Sequence, residues 1–207
     1  MNELPKFDPW KTIWFNARAT IRQIIDIDPN RSLLVLIVFG GLANALHYAA
    51  NFSIADAMSF SDVLILCLVA GPLSGFIGLY LWGWLLGFSA RFFGGVATQR
   101  EMRRAIAWSW APTVYLLPLW GVKYILFRQE IFKSARPFIE AQPFLSSLYS
   151  VFNAVDFFVS ILTIFILFNT VAEVNGFSIW KSMGAIGMVL IVITLPAMLL
   201  IRFFVPI

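Results

Sequence analysis

Charge is scarce in this sequence. Acidic and basic residues make up 13% of its 207 residues, whereas a soluble domain carries roughly a quarter. That shortage excludes an ordinary soluble globule, and it coincides with several long apolar runs in a chain that is 60% hydrophobic. Cysteine is nearly missing as well. The single Cys67 excludes an internal disulfide, and one Cys with one His leaves too few ligands for the usual zinc or haem sites. No metal and no cofactor are expected. Also absent are a nucleophile elbow, a phosphate loop, an HExxH pair and paired carboxylates. Asp156 and Glu173 are seventeen residues apart, about 25 Å along one helix, too far for an acid/base pair. The sequence reads as non-enzymatic.

What is present is hydrophobic length. A membrane span needs about 20 apolar residues, and runs over 32–50, 63–90, 105–127, 148–172 and 183–204 predict five spans. The expected fold is all-α: a polytopic membrane helical bundle of about five transmembrane helices plus an N-terminal amphipathic interfacial helix. A cytoplasmic segment is expected over 1–31 and a single five-span domain over 32–207. The first span follows a charged lead-in that is long for a signal peptide, so it reads as a retained span despite the small residues Ala43 and Ala45. The second is long enough to tilt or to break at Pro72. Pro112, Pro118 and Pro196 predict kinks in the third and fifth. Phe127, Ile131, Ala135 and Phe138 suggest a short helix in the third loop.

Basic residues set the expected orientation. Lys6, Lys11, Arg18, Arg22 and Arg31 precede the first span. Arg91, Arg100, Arg103 and Arg104 fill the second loop, and Lys181 lies in the fourth. Placing these ten residues inside leaves only Arg128, Lys133 and Arg136 in the outer loops, with Lys123 and Arg202 near outer span ends. The N-terminus is thus expected in the cytoplasm and the C-terminus on the outer side. The net charge of +4 sits beside apolar segments, where it meets lipid headgroups; no nucleic-acid partner is expected.

Asp8 followed by Pro9 is a helix-start signal. After it Trp10, Ile13, Trp14, Ala17, Ile21 and Ile24 recur at helical spacing, Thr12, Asn16, Thr20 and Gln23 lie opposite, and Lys11, Arg18 and Arg22 line a flank. Tryptophans on an apolar face beside basic residues predict a helix lying in the headgroup plane, in contact with anionic lipid. The same face would equally pack on the protein itself.

Within the spans, Gly71, Gly75 and Gly78, then Gly83 and Gly87, predict close helix packing, inside the chain or against a second copy. Asn153, Asp156, Ser160, Thr163 and Thr170 fall on one stripe of the fourth span. An ionisable group there must face protein or water. Depth along the spans places His47 and Asn44 near Asp156, as a register-fixing cluster or a proton or ion site. A register-fixing cluster would leave Asp156→Asn almost normally folded, while Asp156→Leu would lose about 1–3 kcal/mol.

Three stretches resemble the Yip family of multi-span membrane proteins (Ypt/Rab-interacting), in particular its bacterial branch. They are Phe7-Asp8-Pro9-Trp10 with the segment up to Asp28-Pro29-Asn30-Arg31; Gly94-Gly95 with Arg103-Arg104-Ala105-Ile106-Ala107-Trp108-Ser109-Trp110-Ala111-Pro112; and Ala172-Glu173-Val174-Asn175-Gly176-Phe177-Ser178-Ile179-Trp180-Lys181. The resemblance implies a five-span helical domain with a cytoplasmic N-terminus. Eukaryotic members act in membrane traffic and bind small GTPases; the long acidic or proline-rich region typical of them is not in this sequence. The expected function is a membrane scaffold binding a membrane-protein partner or a second copy, with a small channel or transporter built on Asp156, His47 and Asn44 as the alternative.

Overall fold

The computed structural model describes residues 8–204. Lys6 and Phe7 lie outside the described residues, as does the side chain of Arg202. Helices account for all the regular structure described. Four are long and apolar enough to cross a membrane: α3 (Leu33–Asn51), α4 (Phe60–Phe92), α9 (Pro143–Asn175) and α10 (Ile179–Phe204), the last counted over Ile179–Pro196.

The expected third span is not one helix. It is divided into α5 (Gln99–Ser109), α6 (Ala111–Tyr115) and α7 (Leu117–Phe127). Pro112 and Pro118 stand in the first turns of α6 and α7. Each lacks an N–H and crowds the carbonyl four residues earlier, so the helix ends and restarts. The Trp110 carbonyl starts α6, accepting the Thr113 and Val114 N–H groups and, at 2.7 Å, Thr113 Oγ1. By contrast α4 runs unbroken through Pro72 and α10 through Pro196. Its 33 residues make α4 about 50 Å long, well beyond a ~30 Å hydrocarbon core.

The described residues form two compact units, one within 1–29, 80–106 and 166–207, the other within 30–79 and 107–165. In the first, the N-terminal segment is two helices rather than one: α1 (Pro9–Thr12) and α2 (Ala17–Ile27). Asp8 accepts the Trp10 N–H at 3.2 Å. The helix stops where Trp14, Phe15 and Asn16 follow one another, bulky rings and then a residue that favours caps over helix interiors. Ile13, Ala17, Ile21 and Ile24 are buried within the unit, and Thr20, expected on the polar side, is buried with them and donates to Thr12 Oγ1 at 3.0 Å. Trp10 and Trp14 are half-buried, while Phe15 is 95% exposed.

Close backbone approach organises the second unit. A Cβ on Gly41 would lie 2.9 Å from the Gly75 Cα, and one on Gly71 would lie 2.8 Å from the Leu42 Cα. α3 and α4 therefore touch backbone to backbone, which only glycine permits. Gly78 departs from the expectation, with nothing within 4 Å of its Cβ position. Gly71 faces Leu42 and Gly75 faces Ile37, and the close approach does not extend to Gly78. In the first unit Gly83 and Gly87 receive Arg103 and Gln99 of α5, the Arg103 Cγ 2.7 Å from the Gly83 Cβ position. The two four-residue spacings match.

The third loop is a 3-10 turn over Arg128–Phe132 and a short α8 (Pro137–Glu140), not the single helix expected. Glu130 explains the difference: its carboxylate accepts the Phe138 and Ile139 N–H groups at 2.9 and 3.0 Å, starting α8 after Pro137. Phe127, Ile131, Phe132 and Ile139 join Trp120, Val63 and Cys67 in the core of this unit. Asp56 accepts the Ser134 N–H, and this bonding, with Lys133 and Arg136 nearby, holds its carboxyl below the ordinary carboxylate range. Folding contributions of a lowered acid are present at neutral pH and disappear as pH falls through its folded-state value. The protection of the Ser134 N–H relative to its intrinsic exchange rate is accordingly expected to be lost only in strong acid; loss of protection near pH 6 would rule out this bond as the cause.

Candidate functional site

Two polar arrangements stand out, one in each unit. In the first unit, α4 and α9 end in the same motif. The Gly176 N–H bonds the Glu173 carbonyl and the Phe177 N–H bonds that of Ala172, at 3.1 Å each, with Gly176 at φ +67°. The Gly94 and Gly95 N–H groups bond Arg91 and Ala90 in the same way, with Gly94 at φ +82°. Both are Schellman caps, which need a left-handed residue and so select glycine.

The two ends are joined through Asn175. Its Oδ1 accepts the Ala97 N–H at 3.3 Å and its Nδ2 donates to the Val171 carbonyl at 2.8 Å. A Cβ on Gly95 would sit 3.0 Å from the Asn175 Cγ, so the second glycine makes room for the amide. Thr98 and Glu101 then form a capping box that starts α5: Glu101 accepts the Thr98 N–H at 2.8 Å, and Thr98 Oγ1 accepts the Glu101 N–H at 3.3 Å.

Glu173 draws in the N-terminal segment. Arg22 Nε donates to Glu173 Oε1 at 3.1 Å and Arg22 Nη2 to the Glu173 carbonyl at 3.2 Å. Arg18 Nη1 lies 3.9 Å from Glu173 Oε2, and Arg18 Nε donates to Asn169 Oδ1 at 3.4 Å. Cations at a helix C-terminus meet the negative end of its dipole and its unpaired carbonyls. Arg18 and Arg22 are thus engaged with protein, while Lys11 is exposed beside Asp8 at 3.7 Å. On α5, burial and then the neighbouring Arg100 hold Arg104 below the ordinary arginine value. Replacing Asn175 by Ala is expected to lower stability by about 1–3 kcal/mol through the stranded groups. Arg22→Ala, about half exposed, is expected to cost under about 1 kcal/mol. Thermal melts in detergent check both, and a larger loss for Arg22 would overturn this ranking.

In the second unit Asp156 is paired with Lys123, whose Nζ donates to Asp156 Oδ2. The Lys and Asp side chains are 5% and 12% exposed. Lys123 Nζ also lies 4.5 Å from the centre of the Trp120 ring and 6.0 Å from that of Phe152, a cation–π setting. Ser160 Oγ donates to the Asp156 carbonyl at 2.8 Å. A cavity of about 380 Å³ surrounds the pair, with His47, Asn153 and Ser160 in its wall. Asn44, His47, Asp156 and Ser160 also line a smaller one of about 50 Å³.

The two cavities bring Asn44, His47, Asn153, Asp156 and Ser160 together but not Thr163, and the partner of Asp156 is not the one expected. His47 and Asn44 line the cavities without bonding Asp156; Lys123 supplies the bond. Asn153 is exposed at the cavity, and Thr163 Oγ1 is buried without a hydrogen-bond partner. Thr170 donates to the Ala105 carbonyl at 3.0 Å in the first unit. Lys123 was available as the one cation inside the third apolar run. Depth reckoning along continuous helices put it nearer the span end than Asp156; an interrupted helix and a long lysine side chain close that gap.

These features define a multi-pass helical membrane protein with glycine-mediated helix contacts, a junction of helix termini and an ion pair between apolar helices. The chain belongs to the Yip family, for the Yip1 domain model matches residues 11–201. A search of curated proteins found no match, and neither did a search of solved structures. The second and third signature stretches lie wholly within the matched residues, and their Gly94, Gly95, Glu173, Asn175 and Gly176 build the junction.

Proposed function

We propose that the protein is a non-enzymatic membrane scaffold of the bacterial Yip type. On this reading it sits in the inner membrane with its N-terminus in the cytoplasm and its C-terminus in the periplasm. The observation that carries the proposal is the convergence of three segments on one helix end. α2, the loop before α5 and the turn between α9 and α10 are all tied to Glu173 and Asn175. A surface fixed in this way suits recognition by a membrane-protein partner or a second copy, and its basic rim suits anionic headgroups. The excess of Lys and Arg in these segments supports the cytoplasmic side.

Photo-crosslinkers at the exposed Lys11, Arg100 and Trp180 test this in native membranes. Discrete protein adducts are expected there, and Asn175→Ala should remove them by loosening the surface. Lipid adducts alone at all three positions would contradict the proposal. A second reading, a small channel or transporter, draws on the cavity around Asp156 and His47. The Lys123 pairing weighs against it, since the acid is already neutralised.

A further inference from the structure

We propose that the cavity beside the Asp156–Lys123 pair binds an anionic phosphate group, carried by a membrane lipid. Charge in the cavity is unbalanced. Lys123 and Asp156 cancel, which leaves Arg136 as the net cation in the wall. None of the ion pairs among the described residues involves Arg136, and its Nε is buried without a hydrogen-bond partner. The guanidinium is held in place from one side, 4.9 Å from the centre of the Tyr149 ring. Asp56 is within electrostatic reach of Arg136 but makes no ion pair with it; it and Glu130 lie outside the cavity wall, their oxygens accepting the Ser134 N–H and those of Phe138 and Ile139. A buried, positioned guanidinium N–H that lacks an acceptor calls for an anion, and phosphate oxygens match its fork.

The surroundings favour a lipid source. Asn51, Asn153 and Phe157 are exposed lining residues, so the cavity opens outward. A second, almost wholly apolar cavity of about 400 Å³ shares Trp120 and Ile131 with it and is walled by Phe39, Leu46 and Tyr124. Head and chain of one amphiphile thus have adjoining compartments, one bearing charged and polar groups and the other apolar.

The test uses the purified full chain in detergent and three probes: phosphatidylglycerol, phosphatidylcholine and inorganic phosphate. Native mass spectrometry is expected to show retention of phosphatidylglycerol over phosphatidylcholine. Arg136→Gln is expected to weaken it by about tenfold or more, the effect of one charge-assisted bond, while Lys133→Gln, outside the cavity, leaves it unchanged. If inorganic phosphate competes fully, the site takes the free anion; if it does not, the lipid is the ligand. Equal retention of the two lipids, or equal losses in the two variants, would overturn the proposal. Should Arg136→Gln fail to fold, a photoactivatable phosphatidylglycerol settles the matter on the wild-type chain. Labelling of residues 149–157 supports the site, and labelling only elsewhere refutes it.

Discussion

Asp156→Leu is expected to destabilise the protein by about 3–5 kcal/mol, more than an isolated polar stripe would lose. The reason is Lys123, which the change leaves charged and 95% covered, with Trp120 and Phe152 as its remaining neighbours. Breaking one side of a buried ion pair strands the other charge, whereas replacing both sides is often close to neutral. The double variant Asp156→Leu with Lys123→Met should therefore recover most of the loss. Asp156→Asn should fall between, because its amide oxygen still accepts from the ammonium but no longer balances the charge. Reversible unfolding of the four-member cycle checks this. Additive losses would mean that the two side chains do not depend on each other.

Gly75→Val is the second change with a large expected effect. A Cβ at Gly75 meets the Gly41 Cα at 2.9 Å and the backbone nitrogen of Gly41 at 3.3 Å. No flexible side chain is there to yield, so α3 and α4 must separate. Overpacking of this kind costs about 1–3 kcal/mol when side chains can adjust, and a backbone contact is expected to exceed that range. Gly78→Val, with open space around it, is the internal control and should leave the unfolding free energy within about 0.5 kcal/mol of wild type. Equal effects at the two positions would remove the α3–α4 contact from the account.

Much of this was legible from residues. Apolar length marked α3, α4, α9 and α10, and four-residue glycine spacing marked most of the close contacts. Other features depend on partners that spacing does not show. Proline offers one case, since Pro72 and Pro196 leave their helices continuous while Pro112 and Pro118 divide one expected span into three. Two prolines six residues apart open successive turns, whereas a lone one is accommodated by its neighbours. The N-terminal segment offers another. Its apolar face was evident, but its burial within the unit depends on Glu173 and Asn169, more than a hundred residues away in sequence, with Arg–acceptor separations of 151 residues. Asn175 and Lys123 share this quality: each is an ordinary residue until a distant backbone N–H or carboxylate is brought beside it.

The central claim is that Asp156 and Lys123 clasp helices together and do not form an ion path. Proton and cation flux in proteoliposomes, measured across about pH 5 to 8 where histidine titrates, tests it most directly. Wild-type protein and Asp156→Asn are both predicted to match protein-free vesicles. A flux carried by the wild type and lost in Asp156→Asn would contradict the account and make the cavity around His47 and Asp156 a transport site.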